Sequence, residues 1–148
     1  APLVPYYKDV ISAASLSPTL LQERDSVIES LCEKLACKDP SIFEIGCFAG
    51  QYLSHLARNG FSCVAGIEND PTSCRALNLH GATIFEGYLL DSGLDLRRLG
   101  NYDIVLCFNF LEHIPDPFVF IQLIKQHLTN DISYLYFLPF YILYFCVV

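Results

Sequence analysis

Residues 43 to 52 read FEIGCFAGQY, an apolar run that carries one acid, Glu44, two residues ahead of Gly46 and six ahead of Gly50. An ionised carboxylate is costly to bury unpaired, so an acid inside such a run points to a ligand. The turn after it falls at the carboxyl end of a strand, where the next helix offers free N–H groups and the positive end of its dipole. A dinucleotide fold would bring Gly-x-Gly-x-x-Gly against a pyrophosphate. Counted from Gly46, the second and third glycines of that pattern fall on Phe48 and Gln51, and no Gly-Lys-Ser/Thr phosphate loop occurs elsewhere. The spacing therefore argues for a ligand that is not held by its phosphates.

Two further residues have chemistry to offer. Glu68, in GIEND, stands just before Asn69-Asp70-Pro71; it is either a ligand group at a strand end or the residue ahead of a capped helix. His113, in LEHIPDP, is either a general base, since histidine titrates near neutrality, or a residue packed against a helix start. Seven cysteines, at 32, 37, 47, 63, 74, 107 and 146, include no Cys-x-x-Cys pair. They read as reduced core residues and argue against zinc or any other metal. A net charge of −7 with no run of Lys or Arg argues against nucleic acid as the main partner.

The elements that must position these residues follow from periodicity. Ser17-Pro18 gives a cap and a first-turn proline, and Leu20, Leu21, Val27, Ile28, Leu31, Cys32 and Leu35 share one stripe of a helix over about 18–37. A strand over 41–46, the glycine turn, a helix over about 50–58 closed by Asn59-Gly60, and an apolar run at 61–67 come next. Asp70-Pro71 starts a short helix to about Leu79, 82–86 is a third strand, and 87–101 is a loop with one helical turn. YDIVLCF at 102–108 is a buried strand, and the helix begun by Pro115-Asp116-Pro117 runs to about Leu128 with Phe120, Ile121, Ile124 and Leu128 inward.

From Ile132 to Val148 no residue is charged, and Pro139 interrupts the run. Its 17 residues fall short of the roughly 20 that a membrane span requires. The reading is a fifth strand over 132–138, a turn at Pro139 and a further strand over 140–147, with a membrane anchor or a subunit contact as the alternatives for this tail. The N-terminal APLVPYYKD lacks the basic flank and apolar stretch of a signal peptide, and the reduced cysteines lead us to expect a cytoplasmic protein. Its Ala start fits a processed or partial chain, and Tyr6 and Tyr7 are candidates to close over a substrate. Strands and helices alternating at these lengths predict an α/β fold, an open parallel sheet with helices on both faces, in one domain over 1–148. Within it, 1–38 is an N-terminal helical segment, 41–130 the ligand-binding core and 131–148 an apolar strand region.

FEIGCFAG resembles the first motif of the class I S-adenosylmethionine-dependent methyltransferases, an acid, one residue, then Gly-x-Gly-x-Gly. GIEND resembles the end of that family's second strand, and YDIVLCFNFLEHIPDP its fourth strand and exit loop, in the family's order over residues 41–130. The resemblance implies a Rossmann-like three-layer sandwich with strand order 3-2-1-4-5-7-6, here with distal strands reduced or missing, and S-adenosyl-L-methionine as cofactor. It implies that Glu44 answers the cofactor's positive charge, and that Gly46 and Gly50 pass close to its methionine part and sugar, beside Cys47 and Phe48. Glu68, with Asn69, takes the ribose hydroxyls; Gly87 and Tyr88 line the adenine pocket; Asn109 and Phe110 flank the methionine moiety. Phe48 departs from the motif's middle glycine, and Tyr88 stands where the family often has Asp or Asn, so it would stack on the base instead. The activity implied is methyl transfer to an O, N or C nucleophile of a small molecule, with His113 as the candidate catalytic base. A methyltransferase-like module that binds cofactor or a partner without turnover is the alternative, and a nicotinamide-dependent oxidoreductase would contradict the glycine spacing.

Overall fold

The computed structural model describes residues 16–72, 81–90, 94–108, 114–138 and 146–147, with the main chain alone from 129 onward. Helix α1 spans Pro18–Leu35; the Ser17 side chain caps it by accepting from the Leu20 N–H at 3.2 Å, and Pro18 occupies the first turn. It stops short of residue 37 because Ala36 turns left-handed at φ 49°, with its N–H on the Glu33 carbonyl. Strand β1 (Ile42–Ile45) leads through the glycine turn into α2 (Gln51–Arg58), which returns to β2 (Val64–Glu68). Strand β3 is Ala82–Glu86, and a 3-10 turn at Leu96–Arg98 supplies the single helical turn expected in the following loop. Strand β4 (Tyr102–Phe108) is followed by α3 (Pro117–His127), whose cap Asp116 accepts from the Val119 N–H at 3.1 Å. The expected helix after Asp70 begins with Pro71 and Thr72, and its remainder lies outside the described residues.

The sheet runs β3-β2-β1-β4-β5-β6, where β5 is Thr129–Leu138 and β6 is Cys146–Val147. The first five strands are parallel, and β6 pairs antiparallel with β5 through Leu135↔Val147 and Tyr136↔Cys146. The tail therefore contributes the next position of the sheet in antiparallel sense; residues 139–145 lie outside the described ones. Strand β5 begins three residues earlier than the apolar run indicated, because Thr129 pairs with Tyr102 across a register shift.

Side chains alternate along β1 and β4 and divide the core in two. Phe43, Ile45, Val105 and Cys107 meet Phe120 and Ile124 of α3 and Leu128, which caps it. Ile42, Ile104, Leu106 and Phe108 meet Ile28 and Leu31 of α1 and Tyr52, Leu53 and Leu56 of α2. Of the described cysteines, Cys47 and Cys107 are buried, Cys32 and Cys37 are half-buried, and all are free thiols. Cys63 departs from the expected core role: it is exposed, in the turn that precedes β2. Among the described residues, no helix is long and apolar enough to cross a membrane, and no His/Cys/Asp/Glu group is arranged to hold a metal.

At the amino ends of the strands, two carboxylates act as clasps. Asp103 Oδ2 accepts from both the N–H and the hydroxyl of Ser41, at 2.8 and 2.7 Å, and so ties β4 to the chain entering β1. Asp39 accepts from the N–H and hydroxyl of Ser62 at 2.9 and 2.6 Å, joining the approaches to β1 and β2, and these bonds hold its carboxyl below the usual range.

Gly66, opposite Glu44 in the β1–β2 register, lets α2 press onto β2. A Cβ there would lie 2.8 Å from Cys47 Sγ, from the Glu44 carbonyl oxygen and from Leu53 Cδ1. Gly66→Ala should therefore destabilise the fold by about 3 kcal/mol, seen in urea as a lower midpoint at unchanged slope. A midpoint equal to that of the unaltered chain would contradict this close packing.

Candidate functional site

The turn between β1 and α2 is left-handed at alternate positions: Gly46 at φ 71°, Phe48 at φ 51° and Gly50 at φ 66°. Glycine adopts this conformation freely, whereas for Phe48 it costs about 1–2 kcal/mol. Hydrogen bonds hold the turn against the end of β2. The N–H groups of Gly46 and Cys47 both donate to the Ile67 carbonyl at 2.9 and 3.2 Å, and Gly50 N–H to the Cys47 carbonyl at 2.8 Å. Phe48 N–H donates to Glu68 Oε2 at 2.8 Å. The other Glu68 oxygen accepts from the Asn69 and Asp70 N–H groups at 2.7 and 2.9 Å, so this carboxylate joins the two loops. The Glu68 carbonyl, in turn, accepts from Gly87 N–H at 2.8 Å, which brings in the chain leaving β3.

A small cleft opens where these loops meet, lined by Ile45, Gly46, Ile67, Glu68, Asn69, Gly87, Tyr88 and Leu89. Five residues chosen from the sequence, Gly46, Glu68, Asn69, Gly87 and Tyr88, thus come together at the carboxyl ends of β1, β2 and β3. Among the described residues, the lining holds a carboxylate and no Lys, Arg or His. Three others lie apart from it: Cys47 is buried in the core beneath α2, Gly50 caps that helix, and Phe48 is half-buried in the turn. Asn109, Phe110 and His113, like Tyr6 and Tyr7, lie outside the described residues.

Glu44 projects to the opposite face of β1, where it is 3% exposed. Its Oε1 lies 3.7 Å from an Arg24 guanidinium nitrogen. Glu44 Oε2 and Arg24 Nε are both buried without a hydrogen-bond partner. Two aromatic rings embed the guanidinium, Phe108 at 3.9 Å and Tyr52 at 5.2 Å from its central carbon. Burial pushes the Glu44 carboxyl up to about 7; Arg24 works against that rise, and Glu68 adds to it. Burial lowers the Arg24 pKa, Glu44 and Tyr52 offset part of the shift, and a guanidinium stays charged throughout. Arg24 is not among the candidate ligands that the sequence motifs supply. The signal was there: Arg24 is four residues after Leu20 and four before Ile28, so the only cation of that region sits on the apolar stripe of α1.

The arrangement is that of a known family. A sequence profile of the methyltransferase domain matches residues 19–138, and the chain belongs to that family. Particular relatives include the ubiquinone biosynthesis O-methyltransferase of Nitrosomonas europaea, 30% identical over 111 residues that cover 72% of this chain and 44% of the relative. The enzyme of the same name from Colwellia psychrerythraea is 30% identical over 99 residues, 64% of this chain and 40% of the relative. The chain thus spans less than half the length of these relatives. Among solved structures, it superposes on the sugar N-methyltransferase KedS8 from Streptoalloteichus with a TM-score of 0.63, at 21% identity, over 79% of this chain and 47% of that one. The plantazolicin methyltransferase BpumL, in complex with a triazolic desmethylPZN analog and SAH, gives 0.61 at 20% identity over 74% and 42%. These superpositions show the Rossmann-like methyltransferase fold, as the sequence motifs implied.

The raised Glu44 carboxyl makes stability depend on pH in a definite direction. Between its ordinary value of 4.5 and about 7, the folded chain holds a proton that the unfolded chain has released, so stability falls as pH rises through this window. Glu44→Gln abolishes that term, whatever constant offset the lost ion pair introduces. From pH 5 to pH 8 the stability difference should move in the variant's favour by about 2 kcal/mol, measured by urea unfolding at each pH. A difference that stays flat across this range would refute the assignment.

Proposed function

We propose that this chain binds S-adenosyl-L-methionine across the carboxyl ends of β1, β2, β3 and β4, and serves transfer of its methyl group to an O, N or C nucleophile of a small molecule. The observation that carries the reading is the cleft that unites the glycine turn, Glu68 and Tyr88, with an acid and no cation among the described residues of its lining. Such a wall repels phosphates and suits a nucleoside that carries none. The Glu68 carboxylate, already oriented by backbone N–H groups, takes the ribose hydroxyls, Asn69 stands beside it, and Tyr88 stacks on the adenine at the Gly87 turn.

Beyond the turn, the buried pair supports the same reading. The amino-acid end of the cofactor is a carboxylate and an ammonium on one carbon, next to a sulfonium. Arg24 and Glu44 offer the complementary charges, each with one buried polar atom that lacks a partner. The two residues fit that end of the cofactor, Arg24 toward the carboxylate and Glu44 toward the positive charge. When bound, the cofactor supplies a methyl group on a good leaving group, so the protein's contribution is largely alignment. Holding acceptor, methyl carbon and sulfur in line can lower a barrier by roughly 7–11 kcal/mol. Asn109 and Phe110, where the chain leaves β4, flank the methionine portion, and His113 serves as base for acceptors that hold their proton at neutral pH. Names of relatives such as ubiquinone biosynthesis O-methyltransferase support an oxygen nucleophile on a small molecule as the first acceptor class to try. The acidic net charge favours a small-molecule acceptor over nucleic acid, and the free thiols suit a cytoplasmic enzyme.

Glu68→Ala should weaken binding of labelled S-adenosyl-L-methionine at least about tenfold, or 1.4 kcal/mol, in equilibrium dialysis. Undiminished binding by the folded variant would refute the ribose assignment.

A further inference from the structure

Beside Arg24 on α1, Asp25 makes contacts that the cofactor reading does not use. His55 Nε2 lies 2.8 and 3.0 Å from its two oxygens, and the Tyr52 hydroxyl donates to Asp25 Oδ1 at 3.2 Å. The Tyr52 and His55 rings stack with centroids 5.8 Å apart, so one carboxylate of α1 gathers two neighbouring side chains of α2. Asn59 approaches the same ring nitrogen, its amide within 3.2 Å of His55 Nε2, and donates to the His55 carbonyl at 2.9 Å. Asp25 and His55 are partly exposed, whereas Tyr52 is 1% exposed and turns its edge to Phe108 at a centroid distance of 5.8 Å.

These contacts matter because Arg24 is poorly anchored by anything else. Its Nε has no hydrogen-bond partner and its nearest ion-pair contact with Glu44 is a long 3.7 Å. The guanidinium is instead placed by two rings, Tyr52 and Phe108, and cation–π contacts are weakly directional compared with a bidentate hydrogen bond. The Tyr52 ring is in turn held at its hydroxyl by Asp25. Arg24 and Asp25 are consecutive, so the bonds from Asp25 to α2 also fix the rotation of α1 that turns Arg24 inward.

We propose that Asp25 is a positioning residue for the amino-acid end of the cofactor. Acting through Tyr52 and His55, it holds Arg24 where the guanidinium, beside Glu44, can meet a carboxylate. The inference rests on the cofactor reading given above and extends it to a residue that touches neither the cofactor nor the cleft.

The test uses two nucleoside ligands that share adenosine and the thioether but differ in the amino-acid end: S-adenosylhomocysteine, which has it, and 5′-methylthioadenosine, which lacks it. Titration calorimetry on the whole chain would measure both against Asp25→Ala, Asp25→Asn and Tyr52→Phe. Asp25→Ala should weaken S-adenosylhomocysteine about tenfold and leave 5′-methylthioadenosine within twofold. Asp25→Asn keeps an oxygen for the Tyr52 hydroxyl and should recover part of the loss, and Tyr52→Phe should reproduce part of it. If Asp25→Ala does not fold, as judged by circular dichroism, the other two variants carry the same selectivity test. Equal weakening of both ligands would reduce Asp25 to a general structural role and overturn the proposal, as would unchanged binding of S-adenosylhomocysteine. Failure of the unaltered chain to bind either ligand would overturn the cofactor reading itself, and this inference with it.

Discussion

An ion moved from water into a protein interior loses several kcal/mol of solvation, and here Glu44 and Arg24 are both buried, 3.7 Å apart. Their mutual attraction at that distance, without a direct hydrogen bond, is weak compensation. Much of the surrounding structure acts to make the pair tolerable. Phe108 and Tyr52 spread their π-faces against the guanidinium, and the Glu44 carboxyl rises to about 7, so that near neutrality it shares its time between charged and neutral forms. The docking of α1 on the sheet follows from the same constraint, since Arg24 can reach Glu44 only if the helix presents its apolar stripe, cation included, toward β1. Two apolar residues at these positions would pack more cheaply. A fold that keeps the charges here accepts a loss of stability that a ligand of matching charge would offset.

The second constraint is backbone conformation in the turn. Three left-handed residues in alternation reverse the chain within a few residues of β1 and point successive N–H groups toward β2. Two are glycines, and the third, Phe48, stays left-handed because its N–H has a carboxylate oxygen to donate to. Glu68 thus does for Phe48 what the absence of a side chain does for the glycines. The substitution at the motif's middle position leaves the path of the chain intact, and a half-buried aromatic side chain now occupies the wall of the turn.

Much of this architecture is legible in the sequence because local signals agree. Ser17 with Pro18, and Asp116 with Pro117, announce helices that the structure begins at those points, and the unbroken apolar run YDIVLCF identifies the central strand β4. The features that escaped are those set by tertiary geometry. The sequence places Arg24 on the apolar stripe of α1, but that it meets Glu44 there is set by how the helix docks on β1. Thr129, Asn130 and Asp131 carry no strand signal, yet Thr129 joins β5 through main-chain pairing, which is indifferent to side-chain type. Cys63 reads as core from its apolar neighbours and is exposed because β2 starts one residue later. In the site, glycines and acids were visible as types, whereas the division that sends Glu44 to one face of β1 and the cleft to the other depends on the register of the strands.

The Ser–Asp clasps at the amino ends of β1, β2 and β4 give the molecule a polarity of a different kind. At that end, the hydroxyls of Ser41 and Ser62 and the carboxylates of Asp103 and Asp39 join one strand entrance to the next. At the opposite end, the loops are joined through Glu68, whose carboxylate also faces the cleft. The two edges of the sheet are therefore free to change at different rates. Substitutions in the loops at the carboxyl ends can alter what is recognised without loosening the stitching that keeps the strands in register. A single sheet can in this way accept new partners by revising one border while the other stays fixed.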